Sequence, residues 1–580
     1  MRLFLLTILF ALLPFSGFAV EEQLVIKTDS VGQLSKLLPD SIRFSISELT
    51  IQGPVNGNDL RIVKAIAAHT TARKAEERVL ISLDMSEAVL TETKGAFRTA
   101  SDCFPAGLFF NSKTLQRMVL PAGMRIISKG CFAGCASLRE VVFPEEVEVI
   151  DDNAFQGCGQ LRIEEMPAQL RRIGNHAFDD CRSLENITLS ELVEEVGNYA
   201  FNHCNGLQTI KLEGPIQRIG DYTFADCEQV REIELPESVT SIGDQAFSGC
   251  AMLESVKMPD MLNEIGLSAF EGCLSLRRIE LNTATRIERN AFARCPSLLS
   301  FEVENISRLG NNAFDGCAAL QTVVMEGNLQ NIGNETFMNC ANLTYIQLPT
   351  TIRHIGNRAF LSCQSLENIE MPSSLNRIGD HAFENCSSLK SIILPNLVKE
   401  IGTDCFENCI SLDSVAIQGF IERLPEDCFR YCHSLRSISL PISIKSIEDN
   451  VFQECAVLDN LRLPVTVTSI GDNAFEKCTS LSTIIIPAAC KSIGSAAFRD
   501  CSTLSSLDLP AAMKKIGGNA FAKCVSLKEI VCRTPVPASV SSSTFKGVVQ
   551  AACKLYVPRG ARNTYKKERL WNKFSQITEQ

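Results

Sequence analysis

One pattern of apolar and polar positions recurs along this chain. The segment SIGDQAFSGCAMLESVKMP, Ser241 to Pro259, shows this pattern in full. Its LESVKM part has alternating apolar residues, which predicts a short β-strand with one face turned inward. Proline ends that strand because it cannot donate to a sheet. The SIG part predicts a second short extended piece and a glycine corner with positive φ. The DQAFSGC part predicts one helical turn that ends at a cysteine.

This arrangement repeats every 23 residues, apart from two steps of 22 residues. Counted by its phenylalanine there are 19 units, from Phe109 to Phe521, and 18 of them carry a cysteine three residues later. One unit has only about seven apolar side chains, too few for a core of its own. Stacked units bury them against one another, so the sequence predicts a β-rich solenoid. Each coil would hold one parallel strand, a second short extended piece and a short helical turn.

The consensus I-G-x-x-A-F-x-x-C-x-S-L-x-x-I-x-L-P strongly resembles the BspA-like branch of leucine-rich repeat proteins, found among surface and secreted proteins of Bacteroides-type bacteria. LTIQGPVNGNDLRIVKAIAA, Leu49 to Ala68, is similar to the region that precedes the repeats in that family. LYVPRGARNTYKKERLWNKF, Leu555 to Phe574, is similar to its C-terminal end. The resemblance implies a right-handed leucine-rich repeat solenoid with N- and C-terminal caps, and a protein that binds host matrix or cell surfaces.

The chain is expected to divide into four segments. Residues 1–19 form a signal peptide and residues 20–100 an N-terminal capping region, with a helix near Asp59 to Ala75. Residues 101–532 hold about 19 coils of 22–23 residues. Residues 533–580 form a C-terminal cap that an amphipathic helix within Arg559 to Lys573 closes. Caps are required because the open end of a solenoid is an aggregation-prone edge.

The N-terminal sequence and the charge set the expected location. MRLFLLTILFALLPFSGFAV has one Arg, an apolar stretch and small residues at Gly17 and Ala19, the pattern of a secretory signal peptide. No later apolar run approaches about 18 residues, so no membrane span is expected after cleavage. The net charge of −11 is spread along the chain without a basic stripe, which argues against nucleic acid as a partner. A secreted or cell-surface protein is predicted, with the periplasm as an alternative.

The repeat cysteines raise a choice between architecture and chemistry. Stacked coils would form a column of inward-pointing cysteines, and buried thiols can act as small apolar groups that donate weakly to carbonyls. Because the compartment is oxidising, disulfides between neighbours are the alternative. Four thiolates at Cys405, Cys409, Cys428 and Cys432 are also weighed as a zinc site, although cysteine is a near-isosteric replacement for buried alanine. Cys532 and Cys553 flank the last unit and form a candidate disulfide of the cap.

Catalytic signatures are missing from the sequence. None of the six histidines lies in H-E-x-x-H, and no G-x-S-x-G, G-x-G-x-x-G or Walker-type loop occurs. We therefore expect no enzyme activity and no cofactor. A solenoid instead offers its strand face for binding, and two candidate sets of residues follow from the repeat register. These are the aromatic positions His176, Tyr199 and Tyr222 with nearby His203, and the outward strand positions Lys211, Glu234, Lys257 and Glu280.

These residues support a protein-binding hypothesis over its alternatives. Exposed aromatic residues in a row can anchor a protein or stack on a sugar, and alternating charges can also simply stabilise neighbouring strands. With six Tyr and one Trp, carbohydrate binding ranks below protein binding. The function expected is an adhesin, a monomer that binds an extracellular or cell-surface protein. An envelope carbohydrate-binding protein and a periplasmic structural scaffold are the alternatives.

Overall fold

The computed structural model describes residues 23–71, 78–94, 97–279, 281, 285–459 and 461–580. The predicted signal peptide, residues 1–19, lies outside them. The chain forms two compact units, one of Met1–Leu170 with Asp180–Ser183 and one of Arg171–Asp179 with Leu184–Gln580. Both units are built of stacked coils that pair through parallel strands, so the predicted leucine-rich repeat solenoid is confirmed. None of the helices in the described residues has the length and apolar character needed to cross a bilayer.

The N-terminal segment already belongs to the parallel sheet of the first unit. Its strands are Gln23–Lys27, Glu48–Val55, Ser82–Asp84 and Ala88–Leu90, and its helices are Leu34–Leu37, Asp40–Arg43 and Gly57–Ala67. The third helix begins at a capping box, in which the Asn56 side chain accepts from backbone N–H groups and the Asp59 carboxylate accepts from the Asn56 N–H. The predicted helix near Asp59 to Ala75 is therefore present but ends at Ala67; residues 72–77 lie outside the described part of the chain.

The predicted L-x-x-I-x-L strands form the first sheet position of the coils, and we call them first strands. In chain order they are Arg117–Val119, Glu140–Val142, Asn186–Leu189, Thr209–Leu212, Glu232–Glu234, Ser255–Lys257, Arg278–Ile279, Ser300–Ile306, Thr322–Gly327, Tyr345–Gln347, Ser391–Leu394, Ser414–Ile417, Ser437–Ser439, Thr483–Ile485, Ser506–Leu509 and Glu529–Cys532. Their side chains alternate between exposed and buried, as in Thr209–Leu212, because one face covers the core.

A second strand of two residues follows in each coil, and we call these second strands. They are Ile126–Ile127, Val149–Ile150, Arg172–Ile173, Glu195–Val196, Arg218–Ile219, Ser241–Ile242, Glu264–Ile265, Arg286–Ile287, Arg308–Leu309, Asn331–Ile332, His354–Ile355, Arg377–Ile378, Glu400–Ile401, Arg423–Leu424, Ser446–Ile447, Ser469–Ile470, Ser492–Ile493 and Lys515–Ile516. The second residue of each pair is buried and pairs with its equivalent in the neighbouring coil, as Ile242 does with Ile265.

The segment between the second strand and the cysteine, which we call the turn segment, stacks its phenylalanine rings. Within each unit, successive repeat rings lie 5.0 to 5.7 Å apart and within 18° of parallel. Offset stacking of this kind stabilises beyond the area that it buries. The segment is not a regular helix, because it has left-handed residues two before the phenylalanine and just before the cysteine, such as Asn473 at φ 52° and Lys477 at φ 61°.

The consensus glycine has a different role from the one predicted. We expected it to supply a positive φ, but Gly197, Gly356 and their equivalents are not among the residues with positive φ. A Cβ on Gly356 would instead lie 2.7 Å from the backbone nitrogen of Asn334 and 2.7 Å from the carbonyl carbon of Gly333. Glycine is required here because the backbones of two coils approach closely.

A ladder of side-chain hydrogen bonds joins the coils beside these glycines. The Asn334 Oδ1 accepts from the Asn357 N–H at 2.9 Å, and the Asn357 Oδ1 accepts from the Asp380 N–H at 3.1 Å. The Asp380 Oδ1 accepts in turn from the Thr403 N–H at 3.0 Å. These bonds satisfy backbone N–H groups that the two-residue second strands leave unpaired.

The cysteine column has the architectural role that the sequence favoured. All 18 repeat cysteines are buried free thiols. Each Sγ donates to the carbonyl oxygen of the phenylalanine one coil earlier, at 3.1 to 3.3 Å. Burial raises the pKa of Cys250, for example, to about 12. The column therefore packs the core and satisfies backbone acceptors.

The C-terminal segment contains a coil that the 23-residue period missed. Phe545 stacks on Phe521 at 5.7 Å, although the step is 24 residues and Val548 takes the cysteine position. Strands Lys554–Val557 and Gln576–Glu579 extend the sheet that contains the first strand Glu529–Cys532. Helix Arg562–Lys567 and the 3₁₀ turn Trp571–Lys573 follow the first of these strands, in place of the single predicted helix.

The aromatic residues of this segment end the phenylalanine stack. Tyr565, Trp571 and Phe574 are buried, and Trp571 and Phe574 contact Phe545 edge to face, with ring centroids 5.6 and 5.3 Å away. The Trp571 Nε1 donates to the carbonyl of Ala538 at 2.9 Å. The last ring of the stack is thus covered by aromatic edges.

The candidate disulfide between Cys532 and Cys553 is not formed. Both residues are buried free thiols. The register pairs Glu529 with Lys554, which places Cys532 beside Val557 and Cys553 one residue before Lys554. Four residues of strand separate the two positions, about 13 Å along the sheet, which is beyond disulfide range. Proximity of the two cysteines in the sequence concealed this difference in strand position.

Candidate functional site

The outward side chains of the first strands form one row that crosses the sheet. The strand register pairs Lys211 with Glu234, and Glu234 with Lys257. All three are exposed because they alternate with the buried residues Ile210, Ile233 and Val256. We call this line of side chains the outward row. Glu280, the fourth predicted residue of the row, lies outside the described residues.

Charges in this part of the outward row are paired between strands. The Lys257 Nζ forms an ion pair with Glu234, and their side chains remain 64% and 69% exposed. Immediately before the same two strands, the Arg231 Nη1 contacts the Glu254 Oε1 at 2.9 Å. Exposed pairs of this kind contribute little to stability, roughly 0–1 kcal/mol. Their main physical effect is to present a fixed pattern of charge on a rigid sheet.

Further along the second unit, the strand face becomes less charged and more apolar. Ile393 and Ile485 occupy the outward row and are 59% and 78% exposed. Tyr345, two residues before the row position on its strand, is 51% exposed. Between them the row has the small residues Ala416 and Ser439 and then Arg462. The sequence signal for Tyr345 and Ile485 was available, because both are large apolar residues at positions of the repeat that point outward.

The aromatic positions stack into a ladder of their own on the turn segments. The rings of His176 and Tyr199 lie 4.5 Å apart at 12°, and those of Tyr199 and Tyr222 lie 4.3 Å apart at 9°. We call these three residues the aromatic ladder. Each has positive φ, between 54° and 58°, as has the equivalent residue of most other coils. The unusual φ is therefore part of the coil and no indication of a site.

The stacking determines what the aromatic ladder can offer to a ligand. Tyr199 has another ring against each of its faces, and the Gln245 side chain in the next coil bonds the hydroxyl of Tyr222. Burial by these neighbours raises the pKa of Tyr199, and the adjacent Tyr222 adds to the shift. A sugar ring stacks on an aromatic face, and the faces between these three rings are occupied by the ladder itself.

Asp179 links the histidines of this region, a residue that the sequence reasoning missed. Its Oδ2 lies 3.0 Å from the His176 Nδ1, and its Oδ1 accepts from Asn202 Nδ2 at 2.9 Å. His203 lies next to Asn202 and contacts Asp226 through Nε2 at 3.2 Å. These bonds hold His176 and His203 in one network. An acidic residue just after the repeat phenylalanine, three residues from a histidine, is the signal that could have revealed it.

The structure therefore places the two predicted sets on different segments of the coil. Lys211, Glu234 and Lys257 lie on the first strands, whereas the aromatic ladder and His203 lie in the turn segments. They are two surfaces of the coil and form no single site.

One acidic cluster on the turn segments has the spacing of metal ligands. Asp404, Glu407 and Asp427 offer carboxylate oxygens within 4.8 Å of one another, the single such group found among His, Cys, Asp and Glu of the described residues. The Arg430 Nη1 contacts Asp427 at 3.1 Å and Glu407 at 3.7 Å, so a cationic side chain already pairs with two of the three carboxyl groups. The four thiols weighed as a zinc site do not come together in this way.

The same cluster perturbs the protonation of Glu407. Burial, followed by the neighbouring charges of Asp404 and Glu384, raises the pKa of Glu407 to about 7, against the opposing effect of Arg430. Burial also raises the pKa of Asp427. Glu407 therefore changes charge near neutral pH, while its coil remains held by the stacked Phe406 ring.

Comparison with known proteins identifies the repeat. The family model for the BspA type leucine rich repeat region matches residues 104–231, 217–344, 307–436 and 422–550. No curated protein matches the chain.

Three solved structures illustrate the similarity. A leucine-rich repeat protein from Bacteroides ovatus is 23% identical, with 80% of this chain and 90% of that chain covered and a TM-score of 0.29. A leucine rich cell surface protein from Faecalibacterium prausnitzii is 25% identical, with 68% and 84% covered and a TM-score of 0.28. The pneumococcal vaccine antigen PcpA is 16% identical, with 75% and 89% covered and a TM-score of 0.25.

Proposed function

Because this chain belongs to the BspA type leucine rich repeat family, we propose that it is a secreted or cell-surface protein that binds other proteins. We propose further that it acts as an adhesin for host matrix or neighbouring cells. The predicted signal peptide, residues 1–19, supports export. The step from fold to ligand rests on the site, because a repeat fold specifies a scaffold and not its partner.

The single observation that carries the proposal is the outward row of the first strands. Its side chains project from hydrogen-bonded parallel strands, so their backbone positions are fixed before a partner binds, and little backbone entropy is lost on association. Exposed Ile393 and Ile485 lie in the same row as the charged residues Lys211, Glu234 and Lys257. Apolar anchors combined with a charge pattern are what protein interfaces use for affinity and for specificity.

The geometry gives less support to the two alternatives. A carbohydrate site would use the aromatic ladder, but its ring faces are largely covered by one another. A structural scaffold without a ligand makes no use of Ile393 and Ile485, which are 59% and 78% exposed and which a protein partner would contact as anchors. Protein binding accounts for the apolar residues and for the charges.

The test is a solid-phase binding assay with the mature chain, residues 20–580. Fibronectin, fibrinogen, laminin and collagen would be the immobilised probes, together with whole-cell surface extracts. Saturable binding to at least one probe is expected. The double variant Lys211→Glu/Lys257→Glu should weaken it about tenfold or more, because reversing charges that face a partner creates repulsion. The variant Ile393→Ser/Ile485→Ser should do the same by removing anchors.

Matched controls separate the strand face from a general charge effect. Lys477→Glu/Lys523→Glu makes the same charge change on turn segments, where both lysines are exposed, and should leave binding within about twofold. Tyr199→Ala/Tyr222→Ala tests the aromatic ladder, and a loss of glycan-array binding with that variant would favour the carbohydrate alternative. Absence of binding to every probe, or an equal loss with the control variant, would refute the proposal.

A further inference from the structure

A second surface lies at the turn between the first and second strands of the coils near the C-terminal end. Four large apolar side chains occupy the tips of consecutive turns there and are 51%, 65%, 71% and 69% exposed in chain order: Leu397, Phe420, Ile442 and Val465. We call this line the apolar edge. In the two following coils Ala488 and Ala511 take the same place. In the two preceding coils the tips are polar, with Thr350 and Ser373.

These turns are held firmly in position. The Val398 N–H donates to the Pro395 carbonyl at 3.1 Å, and the Val467 N–H to the Pro464 carbonyl at 3.1 Å. The Thr466 hydroxyl donates to the carbonyl of Ile442 at 2.6 Å, which joins one turn to the next. The apolar tips are consequently fixed outside the core and have no packing role within the coil.

A row of lysines lies two or three residues beyond the turn tips; two of its members belong to coils of the apolar edge and two to the alanine-tipped coils that follow. Its members are the exposed residues Lys399, Lys445, Lys491 and Lys514. The backbone links it from coil to coil, since the N–H of Lys491 donates to Thr468 and that of Lys514 donates to Lys491, both at 2.8 Å. Glu422 and Thr468 take this position in the other two coils of the apolar edge, and the Lys445 Nζ pairs with Glu422 at 2.6 Å.

The residues one position after the lysine row form a second row, and this second row does not cancel the positive charge. Glu400 pairs with Arg377 at 3.5 Å and Arg423 with Glu448 at 3.6 Å, and the next charged member is Lys515. These two rows together hold six basic and two acidic residues and are positive in a chain whose net charge is −11, while Glu448, Asp449 and Asp472 lie further along each coil, at the glycine corner. An apolar line bordered by lysines is complementary to an anionic lipid surface, where apolar groups enter the headgroup boundary and lysines reach the phosphates.

We propose that the apolar edge and its lysine row dock this protein onto the surface of a membrane that contains anionic phospholipid. Leu397, Phe420, Ile442 and Val465 insert between headgroups, while Lys399, Lys491 and Lys514 contact lipid phosphates. The outward row of the first strands stays free to bind a partner. This inference does not rest on the proposed function, because it uses a different surface of the coil.

The test is sedimentation of the mature chain with lipid vesicles. Vesicles of phosphatidylcholine with about 30% phosphatidylglycerol should sediment with the protein bound. The affinity for vesicles of phosphatidylcholine alone should be lower by about tenfold or more. Salt at about 0.5 M should release most of it, since surface charges are then screened. Lys491→Gln/Lys514→Gln should weaken binding about fivefold for each lysine removed. Phe420→Ser/Ile442→Ser should weaken it about tenfold or more.

Two variants provide matched controls. Met261→Ser changes another exposed apolar residue, 66% exposed, at the same turn in a coil without the lysine row. Lys477→Gln/Lys523→Gln removes two exposed lysines from turn segments. Both should bind vesicles like the wild type, and circular dichroism should show every variant folded.

Three results would overturn the inference. The first is no difference between anionic and neutral vesicles. The second is an equal loss of binding in the control variants. The third is sedimentation velocity that shows a dimer which Phe420→Ser/Ile442→Ser dissociates, because the edge would then be covered by a second copy of the chain.

Discussion

Removing one ring from the phenylalanine stack tests the physical basis of the solenoid. Phe337 is fully buried, and its ring lies 5.4 Å from that of Phe314 and 5.4 Å from that of Phe360. Phe337→Ala removes the ring and both stacking contacts. The neighbouring coils cannot close the gap, because the Phe314 N–H donates to Thr336 and the Phe337 N–H donates to Ala359, both at 2.9 Å.

The expected cost follows from burial and cavity formation. Phe→Ala in a core that cannot collapse costs about 3–5 kcal/mol, and the rigid ladder here favours the upper part of that range, about 4–5 kcal/mol. The matched control is Phe420→Ala, the same substitution at a side chain that is 65% exposed. Its effect on stability should stay within about 0.5 kcal/mol.

Hydrogen exchange measured by mass spectrometry is the appropriate assay, because repeat proteins open locally. The opening free energy of amides between Phe314 and Phe360 should fall by about 4 kcal/mol in the variant. Amides near Phe498 should change by less than about 0.5 kcal/mol, since each coil contacts only its neighbours. A loss below about 1 kcal/mol at the site, or a uniform loss along the chain, would refute this reasoning.

Two further predictions concern single residues. Gly356→Ala should destabilise its coil by about 1–3 kcal/mol in urea unfolding, because its Cβ meets backbone atoms at 2.7 Å; Gly159→Ala, whose Cβ meets Asp180 at 3.9 Å, should be close to neutral. Glu407→Gln should stabilise the protein at pH 8 by on the order of 1 kcal/mol, discounted for partial exposure, and by nothing at pH 4. Its folded pKa of about 7 exceeds the unfolded value, so wild-type stability falls as pH rises between about 4.5 and 7; unchanged stability across that range would contradict this.

Much of the fold could be predicted from the sequence because each coil is short and repeats its pattern. Alternation in L-x-x-I-x-L determined which strand residues face inward, and the fixed Phe and Cys positions determined which side chains stack. The thiol of Cys363, for example, donates to the Phe337 carbonyl in the neighbouring coil. The weak thiol donor and the small size of cysteine were sufficient grounds for the architectural interpretation.

What was missed depends on contacts between coils and not on local pattern. The predicted role of the consensus glycine, a positive φ, was wrong because the close approach of Gly356 to Asn334 in the neighbouring coil cannot be seen within one coil. The predicted disulfide was wrong because the strand register places Cys532 and Cys553 at different points along the paired strands. The coil of Phe545 was hidden by a 24-residue step and by Val548 in place of cysteine.

The candidate site was predictable to a smaller extent. Outward positions of the first strands could be read from the repeat, but their function depends on a partner that no residue pattern specifies. Stacking of Tyr199 on both neighbours, and the shared contact of Asp179 with His176 and Asn202, required the turn geometry. The apolar edge was missed because its residues shift by one position between Phe420 and Ile442 within the repeat.

The most direct test of the central claim, that in-register coils enclose the cysteines in a dry core, is a thiol titration of the native mature chain. All 25 cysteines are free, and 24 of them are buried, with Cys103 partly exposed. Reaction with a thiol reagent, mapped by mass spectrometry, should modify Cys103 alone before unfolding, and all 25 after denaturation. Rapid modification of most repeat cysteines in the folded protein would contradict the account.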